Sequence, residues 1–189
     1  MADPYFFGYG SLVNTSTHDF DDPRPARLTG WRRAWRHTDL RPVAFLTAIP
    51  DPQAVIEGMI AHVPNGDWVA LDQREWAYDR LPASDAVSHA IPHEIDIAVY
   101  AVPDHRQSNE TIRHPILLSY LDVVVQGYLR EFGAEGAARF FATTDGWDAP
   151  ILNDRAAPRY PRHQHLSPAE AAFVDDRLTT LGATVVPEA

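Results

Sequence analysis

The chain has no cysteine, which excludes disulfides, zinc–thiolate sites and a cysteine nucleophile. It has no excess of positive charge: 26 Asp and Glu against 16 Lys and Arg give a formal net charge of −10. A surface of that sign does not suit nucleic acid or another polyphosphate. No uncharged apolar run reaches the ~20 residues that a membrane-spanning helix needs. Met1-Ala2-Asp3-Pro4 leads straight into Tyr5-Phe6-Phe7, with no basic segment and no apolar leader of the kind a secretory signal carries. From these absences we expect a soluble, cytoplasmic protein without nucleic-acid or membrane partners.

The sequence has 189 residues, 45% of them hydrophobic, with five Trp, seven Tyr and eight Phe. That suffices for one domain with a real core, expected over residues 1–189.

The first half reads as β-rich. Leu28 to Arg36 is a candidate strand, and Ala44 to Ile49 and Ala54 to Val63 are two more. The turn Pro50 to Gln53 would join the last two as a hairpin. Gly58, inside a strand, signals a bulge or a close backbone approach. Asp67 is placed to cap a helix from Trp68 to about Arg80. Ile95 to Tyr100 alternates as a strand, with Ile95, Ile97 and Val99 on one face, and a loop is expected over Pro103 to Asn109.

The second half turns helical. Pro115 to Phe132 carries Leu118, Leu121, Val125 and Leu129 at helical spacing, with Pro115 suited to the first turn. Glu135 to Ala142 is a shorter helix, and Trp147 to Gln164 is irregular. Ser167-Pro168-Ala169-Glu170 has capping-box spacing and starts a helix that ends at Gly182. Strands followed by helices predict an α+β fold with one curved sheet or barrel.

Two segments carry candidate chemistry. Phe7-Gly8-Tyr9-Gly10-Ser11-Leu12 follows the first apolar run. It lacks the third glycine of a dinucleotide fingerprint, the lysine of a phosphate loop and the GxSxG spacing of a nucleophile elbow. Its adjacent N–H groups can hold a carboxylate or an oxyanion, and a plain β-turn is the alternative. On a helix from Trp68, Glu75 falls on one side with Trp68, Leu71 and Tyr78. A carboxylate on the inward stripe must be paired, protonated or facing a cavity. Arg33, Arg36 or Arg80 could pair it, or a shifted register could leave it solvated; a raised pKa would suit a general acid/base. Asp72 and Asp79 are weaker candidates. His89 and His93 have helical metal spacing, but Pro92 between them argues against a helix, so no metal site is expected. The run Trp31 to His37 reads as a solvated or salt-bridged sheet face, not a nucleic-acid surface. Tyr120 reads as core or rim packing.

Taken in order and spacing, Phe7 to Leu12 followed by Leu71-Asp72-Gln73-Arg74-Glu75 and Tyr78 resembles the γ-glutamylcyclotransferase superfamily. Leu28 to Arg33 and Ile56 to Ile60 support the likeness, and the YGSL form is closer to the glutathione-acting branch. Asn153-Asp154-Arg155 and Pro158-Arg159-Tyr160 are similar to the family's C-terminal region in a general way. The resemblance implies a small mixed β-barrel with flanking helices. It implies Glu75 as the catalytic acid/base and Tyr9, Gly10, Ser11 and Leu12 as the pocket for a γ-glutamyl group, with Tyr78 and Tyr120 completing the expected substrate-binding set. Ala77 departs from the family, which often has glycine there, and Trp76 directly follows the glutamate. The implied reaction is ring closure of a γ-glutamyl amide to 5-oxoproline, with glutathione, a γ-glutamyl-amine or a biosynthetic intermediate as substrate, and it implies no cofactor. A non-catalytic module that binds a γ-glutamyl ligand is the alternative.

Overall fold

In the computed structural model, which describes residues 3–108 and 113–188, the first apolar run forms a buried strand, β1 (Asp3–Gly8). It leads into a 3-10 turn, Ser11–Val13. Two long strands follow, β2 (Asp21–Arg36) and β3 (Phe45–His62), then a short helix α1 (Val69–Arg74). Next come β4 (Asp79–Pro82), β5 (Val87–Ser88) and β6 (Ile95–Ala101). The second half holds β7 (Ile116–Leu117), α2 (Leu118–Ala142), β8 (Thr144–Asp145), β9 (Ile151–Asn153), α3 (Pro168–Leu181) and β10 (Val185–Pro187).

Seven strands make one sheet in the order β4-β6-β1-β3-β2-β5, with β8 also on β2. The β1–β6 and β2–β8 pairs are parallel and the others antiparallel, so the sheet is mixed as expected. It curls into a half-barrel, which agrees with the expected α+β fold built on one curved sheet, while the small barrel that the resemblance implies is only half formed. Its ends are the short strands β4 and β5. A parallel three-stranded sheet, β10-β9-β7, lies apart.

The expected hairpin is corrected. Both of its strands belong to β3, which stays paired with β2 on either side of Pro50. The register passes from Trp31↔Pro50 to Thr29↔Val55, so residues 51–54 bulge opposite Gly30, whose φ is +81. Prolines cannot donate to a ladder, and here the interruption bends the strand pair without reversing the chain. Gly58 does permit a close approach: a Cβ there would meet the Gly8 carbonyl oxygen and lie 2.5 Å from Phe7 Cζ.

The core unites the sheet with α2. Ile95, Ile97 and Val99 pack with Phe7, Trp35, Leu46 and the α2 residues Leu118, Leu121 and Val125, while Leu129 is partly buried against them. Pro115 precedes the helix and uses its carbonyl to accept from Ala44 N at 2.8 Å. The two expected helices, to Phe132 and from Glu135, run on through a break at Gly133 (φ 68, ψ −175). Between Val123 and Tyr128 the helix is buried on every side, as a helix enclosed by other elements must be. The capping box at Ser167 and the left-handed Gly182 bound α3 as the sequence indicates. The 103–109 segment contains a 3-10 turn, Asp104–Arg106, and Asn109 lies outside the described residues.

One glycine fixes how closely the loop after β1 sits on α2. A Cβ on Gly127 would come 2.7 Å from Asn14 N and 2.9 Å from its Cα. The Asn14 amide meanwhile donates to Val123 O at 2.9 Å and to Gln126 Oε1 at 3.0 Å. Glycine inside a helix ordinarily costs about 0.5–1 kcal/mol relative to alanine. Here the sign should reverse, because backbone and not a flexible side chain blocks the methyl. Gly127→Ala is expected to destabilise the fold by about 1–3 kcal/mol, the usual size of an overpacking penalty. A higher urea midpoint for the variant would contradict this.

Candidate active site

The glycine loop is shaped by what surrounds it. A Cβ on Gly8 would lie 2.5 Å from that of Leu12, and one on Gly10 would lie 2.7 Å from the Tyr120 hydroxyl. Both positions therefore exclude a side chain. The 3-10 turn uses the N–H groups of Val13 and Asn14, which donate to Gly10 O and Ser11 O. Such a turn leaves its first N–H groups for other acceptors, and that of Ser11 faces the Tyr120 hydroxyl. Tyr9 is buried and its hydroxyl donates to Tyr100 O at 2.6 Å. The Leu12 side chain packs with Phe6, Val63, Leu71 and Tyr100, so only its backbone is offered to the site.

Glu75 reaches the same place by a route the sequence did not indicate. The helix expected from Trp68 to Arg80 is only α1 and stops at Arg74. Glu75 caps its C-terminus (φ −97, ψ 30), with its N–H donating to Leu71 O at 2.8 Å. The chain turns, with Tyr78 N donating to Glu75 O, and enters β4. Pairing of β4 with β6, from Asp79↔Ala101 to Pro82↔Ala98, claims the residues that would have extended the helix. Helix end plus turn, not helical spacing, brings Glu75 and Tyr78 to one side.

The Glu75 side chain is 16% exposed, and its Oε1 lies 3.2 Å from Arg74 Nε. Burial pushes its pKa above the usual carboxylate range, while Arg74 and Arg162 pull it the other way. Arg33, Arg36 and Arg80 are not its partners: Arg80 pairs with Asp72 at 3.1 Å. Arg33 is buried against Thr143, Thr144, Tyr128 and Glu57 O. The Trp31 to His37 run is therefore not one uniform solvated face. Arg32 is salt-bridged to Asp51 and Asp145, but Arg33 and Trp35 are inside. Asp72 and Asp79 are engaged with Arg80 and Arg106.

A cavity of about 590 Å³ and a smaller hollow of about 30 Å³ both reach Glu75. Ser11, Leu46, Glu75, Tyr78 and Tyr120 line both. The hollow adds Tyr9, Gly10 and Leu12. All seven residues expected from the sequence thus converge. Burial raises the Tyr78 and Tyr120 pKa values well above the ordinary tyrosine value, with neighbouring tyrosines and Glu75 adding to the effect. Both stay neutral donors, and the Tyr78 hydroxyl donates to Leu46 O at 2.9 Å.

Three features were missed. Arg74 sits beside Glu75 in the motif, yet its role needed coordinates: Nη2 lies 3.2 Å from Ser11 Oγ and 3.0 Å from Thr17 Oγ1. Tyr160 donates to Ser11 Oγ at 2.9 Å across 149 residues of sequence. Arg41, Arg159 and Arg162 also line the cavity, Arg41 stacked over Trp76 at 5.0 Å. All 16 cations of this acidic chain are arginines, and four of them face this one cavity. Among the described residues no three His, Asp or Glu side chains converge as metal ligands would. No described helix is long and apolar enough to cross a membrane.

Known proteins give the same direction. No curated protein sequence matches this one. Solved structures share the fold at low identity. A γ-glutamyl cyclotransferase superposes with a TM-score of 0.58 at 14% identity, over 91% of this chain and 98% of that one. An uncharacterized protein from Homo sapiens gives 0.58 at 14%, over 90% and 97%. YkqA from Bacillus subtilis gives 0.57 at 19%, over 76% of this chain and 56% of its own. Residues 4–146 match the family described as ChaC-like protein. The chain therefore belongs to the ChaC-like family, a family of γ-glutamylcyclotransferase enzymes.

Proposed function

We propose that the cavity receives a γ-glutamyl amide and that Glu75 catalyses its closure to 5-oxoproline. The observation that carries this reading is a mostly buried carboxylate with a raised pKa, facing the same hollow as the Gly10–Leu12 backbone. The substrate's α-amine attacks its own γ-carbonyl carbon. The new C–N bond closes a five-membered ring, and the original amide C–N bond breaks. Glu75 takes the proton from the attacking amine and returns it to the departing nitrogen. One carboxylate serving twice contributes about 10²–10⁴-fold. Holding the flexible γ-glutamyl chain in a folded, near-attack shape contributes about 7–11 kcal/mol. The loop N–H groups stabilise negative charge on the substrate.

The arginines bear on the substrate. A γ-glutamyl-amine brings one carboxylate, whereas a peptide such as glutathione brings a second on its leaving portion. Arg41 and Arg162 at the wide cavity favour the peptide, so we take glutathione or a similar γ-glutamyl peptide as the substrate class.

Three outcomes test this. Glu75→Gln should abolish 5-oxoproline release from glutathione while the protein stays folded and still binds 5-oxoproline; wild-type turnover would remove Glu75 from the mechanism. Arg41→Gln should raise KM for glutathione more than KM for γ-glutamyl-methylamide, and an equal rise for both would contradict the peptide assignment.

The third outcome concerns pH. Because burial raises the Glu75 pKa, the folded chain keeps that proton to higher pH than the unfolded chain. Its stabilising contribution is complete below the unfolded value of about 4.3 and is lost as pH rises through the raised folded value. Gln at this position does not titrate. The Tm of Glu75→Gln should therefore rise relative to that of wild type between acid and neutral pH, from an offset at acid pH set by the lost Arg74 pair. A Tm difference that does not change with pH would contradict the desolvated carboxylate.

A further inference from the structure

The cavity wall opposite Glu75 is a strap without regular secondary structure, residues 154–162, that leaves β9 and carries Arg159, Tyr160, Pro161 and Arg162 into the lining. Its anchor is Asp154, which is 0% exposed. Asp154 Oδ1 accepts from Ser119 N at 2.7 Å. Oδ2 accepts from Ser119 Oγ at 2.6 Å and from Arg159 N at 2.9 Å. Ser119 Oγ in turn accepts from Tyr160 N at 3.2 Å. These donors converge on one carboxylate, and only an acceptor-only side chain satisfies all of them.

The position has a second advantage. Ser119 lies in the first turn of α2, whose own N-cap residue, Leu117, offers no side-chain acceptor. A carboxylate at the start of a helix is favoured by the free N–H groups and the helix dipole. Asp154 therefore caps the helix from outside it and pins the strap by the same two oxygens.

What the strap delivers is Tyr160. Its hydroxyl donates to Ser11 Oγ, and its ring meets Tyr120 edge-on at 5.0 Å. Ser11 Oγ is also 3.2 Å from Arg74 Nη2, and Arg74 is the guanidinium beside Glu75. We propose that Asp154 is a positioning residue for the cyclisation: it latches the 154–162 strap to α2 and thereby holds Tyr160 against Ser11 of the glycine loop. The proposal rests on the cyclotransferase reading of the site.

The test is a double-variant cycle on glutathione turnover, with hydrogen exchange as an independent readout. Asp154→Asn keeps the shape but turns an amide N–H₂ towards existing donors. It should lower kcat/KM by about 10²-fold, the loss that a misplacement of about 1 Å produces. It should also speed exchange at the Arg159 and Tyr160 amides. Tyr160→Phe alone should lower kcat/KM, and the Asp154→Asn/Tyr160→Phe double variant should be no worse than Asp154→Asn, because the latch acts through that hydroxyl. Losses that multiply, or wild-type kcat/KM in a folded Asp154→Asn protein, would overturn the proposal. If Asp154→Asn does not fold, Ser119→Ala takes its place. That variant removes the Oγ bridge to Tyr160 N, and the same non-additivity with Tyr160→Phe is required of it. Should the wild type release no 5-oxoproline from any γ-glutamyl donor, the functional reading fails. The latch is then judged on the exchange data, where unchanged Arg159 and Tyr160 protection in the folded variant overturns it.

Discussion

The site depends on one guanidinium with two duties. Arg74 is itself buried, its side chain 7% exposed. Through Nε it meets the Glu75 carboxylate, and through Nη1 and Nη2 it meets Thr17 O, Thr17 Oγ1 and Ser11 Oγ. A buried charge is tolerated only when paired and hydrogen-bonded; Glu75 meets that condition through Arg74, and Arg74 through Glu75 and the loop after β1. The consequence is geometric: the acid and the loop amides cannot drift apart without stranding Arg74. It is also electrostatic. Arg74 lowers the Glu75 pKa, burial raises it, and burial wins. In the proposed reaction that balance lets one carboxylate both accept and return a proton.

The loop is held from below as firmly as from the side. Tyr128 of α2 places its hydroxyl 3.0 Å from Tyr9 O and 2.7 Å from Glu57 O, and Arg33 donates to that same hydroxyl at 3.1 Å. Arg33 is desolvated between the Tyr128 and Phe140 rings, 5.2 and 5.0 Å from their centroids. Fixed backbone dipoles are useful to catalysis only if they need no reorganisation as charge develops. A loop bonded to α2 by Asn14 and Tyr128 and to α1 by Arg74 meets that requirement.

How much of this was legible in the sequence follows from the range of the interactions. The motif residues were legible because local chemistry marks them: two glycines after an apolar strand, and one acid among large apolar neighbours. The capping box at Ser167 and the break between helices near Gly133 were legible for the same reason. The end of α1 was not, because a strand pairing with β6, some twenty residues on, decided it. The hairpin at Pro50 failed because β2 kept its partner across the bulge, which nothing near Pro50 announces. Tyr160 and Asp154 act over 149 and 35 residues of sequence, distances at which periodicity carries no signal. One curved sheet or barrel was legible from strands followed by helices, but not where the sheet would stop, at β4 and β5, since closure depends on strand tilt and register across the whole sheet.

The most direct test of the account is a crystal structure of the protein with 5-oxoproline bound. The expected result is a lactam ring in the large cavity where it meets Glu75 and Ser11, its nitrogen within hydrogen-bond reach of a Glu75 oxygen and its carboxylate or carbonyl turned towards the Gly10–Leu12 backbone. A ring bound elsewhere on the molecule, or one in the cavity with Glu75 still turned to Arg74 and out of reach of the lactam nitrogen, would contradict it.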